Sequence, residues 1–216
     1  MKNKSYNHIS HLIERYPELS DVEENIRLAI VTVLHSIVNG GTLLICGNGG
    51  SSADSEHIVG ELMKGFIIDR PIPNNIKINL SNMYPDDAEY LFKNLQSGIR
   101  SISLTSHSAL TSAFSNDNAS DLIFAQQVLG YGRLGDVLLA ISTSGNSKNI
   151  VYAAKIAKSM DMKVIALTGN TGGELKFYSD IIINVPEQET YKIQEYHLPV
   201  YHCICLALEN ELFGDE

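Results

Sequence analysis

Two histidines, a glutamate and a glutamine in this chain are of the types that move protons or hold a metal ion. His57 and Glu61 lie four residues apart in "SSADSEHIVGELM", so on a helix both side chains share one face. Towards the C-terminus, Gln194, His197 and His202 fall in "YKIQEYHLPVYHCICLALE". Positions 194 and 202 are about 80° apart around a helix of 3.6 residues per turn, so they can border one groove. An isolated His-x-x-x-Glu pair commonly does no more than stabilise an exposed helix, and a histidine within "VYHCICLAL" is commonly a core residue. The four gain chemical meaning only if something else places a substrate beside them.

Two loops offer that something. "CGNGGSS" follows the apolar run "TLLI" and leads into the helix that carries His57 and Glu61. It lacks the Lys-Ser/Thr of a nucleotide P-loop, and Ser52 stands where the dinucleotide fingerprint needs a third glycine. The second loop, "STSGNSKN", spans Ser142 to Asn149, again between an apolar strand and a helix. One serine there could be only a helix cap. Ser142, Thr143, Ser144 and Ser147 together, at a helix N-terminus with unpaired backbone N–H groups, suit a small phosphate monoester.

The elements that must position these residues alternate. "TLLICG", "RSISLTS", "DVLLAIST", "KVIALTG" and "DIIINV" read as strands, with helices between them, which predicts a three-layer α/β/α sandwich around a five-stranded parallel sheet. Both loops then fall at carboxyl ends of strands, where such sheets bind ligands. Residues 1–40 read as two amphipathic helices broken near Pro17, the second capped at Ser20-Asp21, with faces suited to packing between subunits. A helix from about Ser108 ends at the break Asn116-Asp117-Asn118, and a last helix runs from Thr190 to about Phe213. Residues 66–98, with three prolines and Asn-rich turns, read as an insertion holding one short helix near Asp86–Gln96, within a single domain of residues 1–216.

The formal net charge of −9 argues against a nucleic-acid or anionic-membrane partner, both of which call for basic patches. Cys46, Cys203 and Cys205 form no zinc-type pair and read as buried thiols of a cytoplasmic protein. No apolar run is long enough to span a bilayer, and "MKNKSYNHIS" lacks the apolar core of a signal peptide.

Taken together, "CGNGGSSADSEHIVGEL", "FSND", "GDVLLAISTSGNSKNI" and "QEYHLPVYHCICLALE" resemble the sugar isomerase (SIS) domain family, and within it the bacterial phosphoheptose isomerases. The resemblance implies a flavodoxin-like sheet and aldose–ketose isomerisation of a sugar phosphate through an enediol. It implies that Ser142, Thr143, Ser144 and Ser147 hold the phosphate, and that Asn48, Gly49, Gly50, Ser51, Asn116, Asp117, Glu61 and Gln194 contact the sugar. It implies acid/base roles for Glu61 and His202, and one zinc ion per subunit held by His57, Glu61, Gln194 and His202. Glu61 then either alternates between metal and substrate or leaves the metal a structural part. A homotetramer with active sites at subunit interfaces is implied as well. Where related isomerases place an arginine near the sugar, this chain has Gly65, with Lys64 and Arg70 as the available cations. The rival expectation is a non-catalytic SIS protein that binds a sugar phosphate or a replication initiator.

Overall fold

Alternation within each strand decides which helices it can carry. The computed structural model describes residues 1–214. Its strands are β1 (Leu43–Cys46), β2 (Ser101–Ser103), β3 (Val137–Ser142), β4 (Lys163–Thr168) and β5 (Ile181–Asn184). All pair in parallel, in the order β2-β1-β3-β4-β5. Leu43, Ile45, Val137, Leu139, Ile141, Ile165, Leu167 and Ile183 point to one face, and Leu44, Cys46, Leu138, Ala140, Val164 and Ala166 to the other. This period-2 division makes both faces apolar, so each must be covered by helices.

The first face is covered by α1 (Asn3–Arg15), α2 (Glu23–Val38), α3 (Gly50–Met63) and α9 (Thr190–Phe213), through residues such as Leu12, Ile30, Ile58 and Leu208. The second is covered by α7 (Ile123–Tyr131) and α8 (Lys148–Ser159), through Phe124, Val128, Ile150 and Ala154. The result is the three-layer α/β/α sandwich with a doubly wound sheet. Helix α6 (Ser108–Asp117) ends at the Asn-Asp pair, which closes the helix instead of following it. The buried stripes of α1 and α2 are used within the chain, whereas Leu28, Val31 and Val38 stay exposed on α2. No helix among the described residues is long and apolar enough to cross a membrane, and all three cysteines are buried and free.

Two expectations are corrected. Residues 66–98 hold two helices, α4 (Asn74–Met83) and α5 (Pro85–Asn94), which pack chiefly on each other. Helix α4 buries no residue and leaves Ile78 and Met83 exposed. Helix α2 begins at Glu23, because Ser20 and Asp21 are taken into a 3-10 turn over Pro17–Val22 and supply no side-chain cap.

His197 of α9 is fully buried, and burial lowers its pKa from 6.5 to about 4. The folded protein therefore holds it neutral, while the unfolded chain takes up a proton below about pH 6.5. Its contribution to stability is complete above that pH and is lost as pH falls towards 4, by about 3 kcal/mol. Urea unfolding at pH 7 and pH 5 should show about 2 kcal/mol of this loss in the native protein and a clearly shallower one in His197→Leu. Equal losses in the two proteins would remove His197 as a source of acid sensitivity.

Candidate active site

Strands β1 and β3 are neighbours, so the loops that leave their carboxyl ends emerge side by side. Gly49 turns the first with φ +54° and Gly145 the second with φ +67°, a backbone region that L side chains rarely occupy. A Cβ at Gly145 would also strike the Gly172 carbonyl, so the second loop is held down against the turn after β4. The loops are tied to each other by a reciprocal amide pair. Asn48 Nδ2 donates to Asn149 Oδ1 and Asn149 Nδ2 donates to Asn48 Oδ1, both at 2.9 Å.

Within the second loop, Ser142 Oγ donates to Ser147 Oγ at 3.3 Å, and the Asn146 N–H donates to Ser144 Oγ at 3.2 Å. Ser147 occupies the position before α8 but does not cap it with its side chain. The Ile150 N–H of the first turn of α8 is taken by Asn149 Oδ1 at 3.1 Å and by the Ser147 carbonyl, which leaves the earlier first-turn N–H groups and the helix dipole to favour an anion at the hydroxyl loop. Ser51, in the first turn of α3, is buried, and Thr143 is half-buried at the loop's inner edge.

Helix α3 carries the chemistry away from the loops and packs on α9. The Gln194 amide lies directly over the first turn of α3, where a Cβ at Gly50 would come 2.5 Å from its Nε2. One and two turns further along, His57 Nε2 stands 3.3 Å from Glu61 Oε1, and Lys64 Nζ 3.0 Å from Glu61 Oε2. The rings of His57 and His202 are 5.0 Å apart and nearly perpendicular. His202 Nε2 is buried with no hydrogen-bond partner, and burial, reinforced by the nearby His57, lowers its pKa. Behind His57, its Nδ1 lies 3.0 Å from the Tyr201 hydroxyl, which donates to Asp54 Oδ1 at 3.2 Å. Burial raises the pKa of both Tyr201 and Asp54. On its outer side, His202 lines a groove of about 440 Å³ between α1 and α9, with His8, His11 and Arg15.

His57, Glu61 and His202 are thus gathered at one place, Gln194 touches Gly50, and the Asn48–Asn149 pair joins the glycine loop to the hydroxyl loop. Asn116 and Asp117 are not drawn in. They bond each other at 2.8 Å on exposed α6 and, among the described residues, hydrogen-bond to no other candidate. Of the two available cations, Lys64 reaches Glu61. Arg70 is fully buried against Glu209, its Nε 2.8 Å from Glu209 Oε1, and so is a structural group. Asp54, Tyr201 and Asn149 carry no signal of their own in the sequence beyond lying inside the quoted stretches.

Among the described residues no group of three or more His, Cys, Asp or Glu side chains is gathered into a metal site. His57 Nε2 beside Glu61 Oε1 and the buried, unpartnered His202 Nε2 are nevertheless donors of the types that suit zinc, whereas the Gln194 amide, a neutral donor, lies over Gly50 at the start of α3.

The sequence pattern of the SIS domain matches residues 6–89 and 87–169, and the chain belongs to the SIS domain family. Its relatives are phosphoheptose isomerases. That of Thiobacillus denitrificans is 38% identical, covering 90% of this chain and 85% of its own. That of Dechloromonas aromatica is 41% identical, covering 88% and 86%. The solved phosphoheptose isomerase of Neisseria gonorrhoeae aligns with a TM-score of 0.73 at 32% identity, over 96% of this chain and 97% of that one. The one from Francisella tularensis gives 0.75 at 29% identity, over 97% and 100%.

Proposed function

We propose that this chain interconverts sedoheptulose 7-phosphate and D-glycero-D-manno-heptose 7-phosphate. The observation that carries the reading is the junction of the two loops by Asn48 and Asn149, which puts a hydroxyl-lined anion cradle next to the helix of His57 and Glu61. The phosphate is held by Ser142, Thr143, Ser144, Ser147 and the first turn of α8. Asn48, Gly49, Gly50, Ser51 and Gln194 line the sugar's path.

Glu61 removes the proton from C1 of the ketose, next to the C2 carbonyl, and the electron pair forms the C1–C2 enediol. His202 gives a proton to O2 and takes the O1 proton as the C1 aldehyde forms, and Glu61 returns its proton to C2. No atom is gained or lost, so no redox partner is required. Lys64 steadies the Glu61 carboxylate from the solvent side. Zinc held by His57, Glu61, Gln194 and His202 would supply Lewis-acid polarisation of the substrate oxygens. The working form is a cytoplasmic homotetramer with its sites at subunit interfaces, a reading supported by the apolar residues left exposed on α2 and by the unpaired thiols.

A panel of ketose and aldose phosphates, assayed before and after chelation with zinc restored, tests the proposal. Turnover of the heptulose phosphate, reduced by chelation and recovered with zinc, is expected. Saturable binding with no turnover of any sugar phosphate would overturn it in favour of a non-catalytic binding protein.

A further inference from the structure

Tyr201 has one phenolic proton and two neighbours, His57 Nδ1 at 3.0 Å and Asp54 Oδ1 at 3.2 Å. The hydroxyl donates this proton to the Asp54 carboxyl oxygen. The phenol oxygen is then left as an acceptor, and the atom it faces, His57 Nδ1, must carry a proton. We propose that Asp54 and Tyr201 are positioning residues that fix His57 in its Nδ1–H form and keep Nε2 as the exchangeable position facing Glu61.

The geometry on the far side of the ring gives this choice its consequence. Nε2 stands 3.3 Å from Glu61 Oε1, and a bare lone pair facing a carboxylate is repulsive. With Nδ1 occupied, the gap takes a cation: a second proton bridging His57 to Glu61, or a metal ion in its place. An acceptor for the N–H of the ring's other nitrogen, which fixes the tautomer and raises basicity, is the usual support of a metal-binding histidine. Here that support comes from two elements. Asp54 stands on α3, one turn before His57, and Tyr201 stands on α9 beside His202. The Tyr201 ring packs edge-on to both His57, at 5.5 Å, and His202, at 5.0 Å, so one residue sets the aim of both histidines. The opposite assignment, with a protonated Asp54 donating to Tyr201 and Tyr201 donating to Nδ1, would leave the ring proton on Nε2 and close the position to metal.

The consequence for catalysis rests on the isomerase reading; the tautomer does not. Nitrogen-15 NMR of histidine-labelled, metal-free protein at pH 8.5, where an ordinary imidazole is neutral, reads it directly. The expected spectrum gives His57 a protonated Nδ1. Tyr201→Phe should move the proton to Nε2 in part of the population and weaken zinc binding by about 10- to 100-fold, read by competition with a chromophoric chelator. Asp54→Asn, which keeps the side chain's shape, should shift both readouts the same way. An unprotonated Nδ1 in the native protein, or variants that change neither the tautomer nor zinc affinity, would overturn the proposal. Absence of turnover together with the expected tautomer would sink the isomerase reading and leave this one standing.

Discussion

Glu61→Gln is expected to lower kcat for sugar-phosphate isomerisation by about 100- to 10,000-fold, the range over which a positioned acid or base contributes. The substitution keeps the size of the side chain and leaves the buried surface of α3 intact, so folding should be unaffected. It removes the carboxylate that stands between His57 and Lys64. Glu61 Oε1 and Oε2 are held by His57 at 3.3 Å and Lys64 at 3.0 Å, and its side chain is 15% exposed. Such a group is aimed but still reachable by substrate. Solvent deuterium incorporation at the carbon next to the carbonyl separates the proposed role from a purely metal-holding one. If Glu61 is the carbon base, exchange falls in step with turnover. Unchanged turnover, or lost turnover with exchange retained, would assign the base elsewhere.

The second large effect is on stability. Arg70 and Glu209 form an ion pair with both side chains at 0% exposure. Glu209 also accepts hydrogen bonds from the backbone N–H groups of Phe66, Ile67 and Ile68, at 2.7, 2.9 and 3.3 Å. Arg70 in turn donates to the carbonyls of Leu62, at 2.7 Å, and of Glu61, at 3.3 Å. The pair thus closes the C-terminal end of α3 and pins the segment after it to α9. Removing one partner leaves a buried charge uncompensated, and Glu209→Leu should cost about 3–5 kcal/mol. In a chain of this size that lowers Tm by on the order of 10 °C. The double variant Arg70→Met/Glu209→Leu should recover a substantial part of the loss, because two apolar side chains need no partner. A single variant that melts with the native protein would show that solvent reaches the pair. Because Arg70 holds the Glu61 carbonyl, the single variant should also lose activity at temperatures where it remains folded.

The insertion shows where sequence reasoning fails and why. Its prolines read as breakers, yet Pro85 sits at the first turn of α5 and Pro73 immediately precedes α4, positions where a missing N–H costs nothing. Helix α4 buries no residue, so no packing face has imprinted a 3.6-residue pattern on it. Ser20-Asp21 failed as a cap for a related reason, since the 3-10 turn from Pro17 consumes those residues before α2 begins. By contrast α9, whose buried face runs from Ile193 to Asn210, was legible as Thr190 to Phe213 from its pattern alone.

The sequence by itself determined the local devices. It gave the central strands β1, β3 and β4 two apolar faces, each loop its turn glycine, and α3 its histidine and glutamate one turn apart. These depend on neighbours within a few residues, and spacing records them. Tertiary structure alone decided which devices meet. The Asn48–Asn149 junction, the Asp54–Tyr201–His57 chain and the Arg70–Glu209 pair join residues that are 101, 147 and 139 positions apart. No periodicity connects such residues. They are brought together by the parallel order of the sheet and by the packing of α3 on α9, which is why Arg70, eligible from sequence as a sugar-binding cation, is a buried strut, and why Tyr201, unmarked in the sequence, stands behind the histidine of the site.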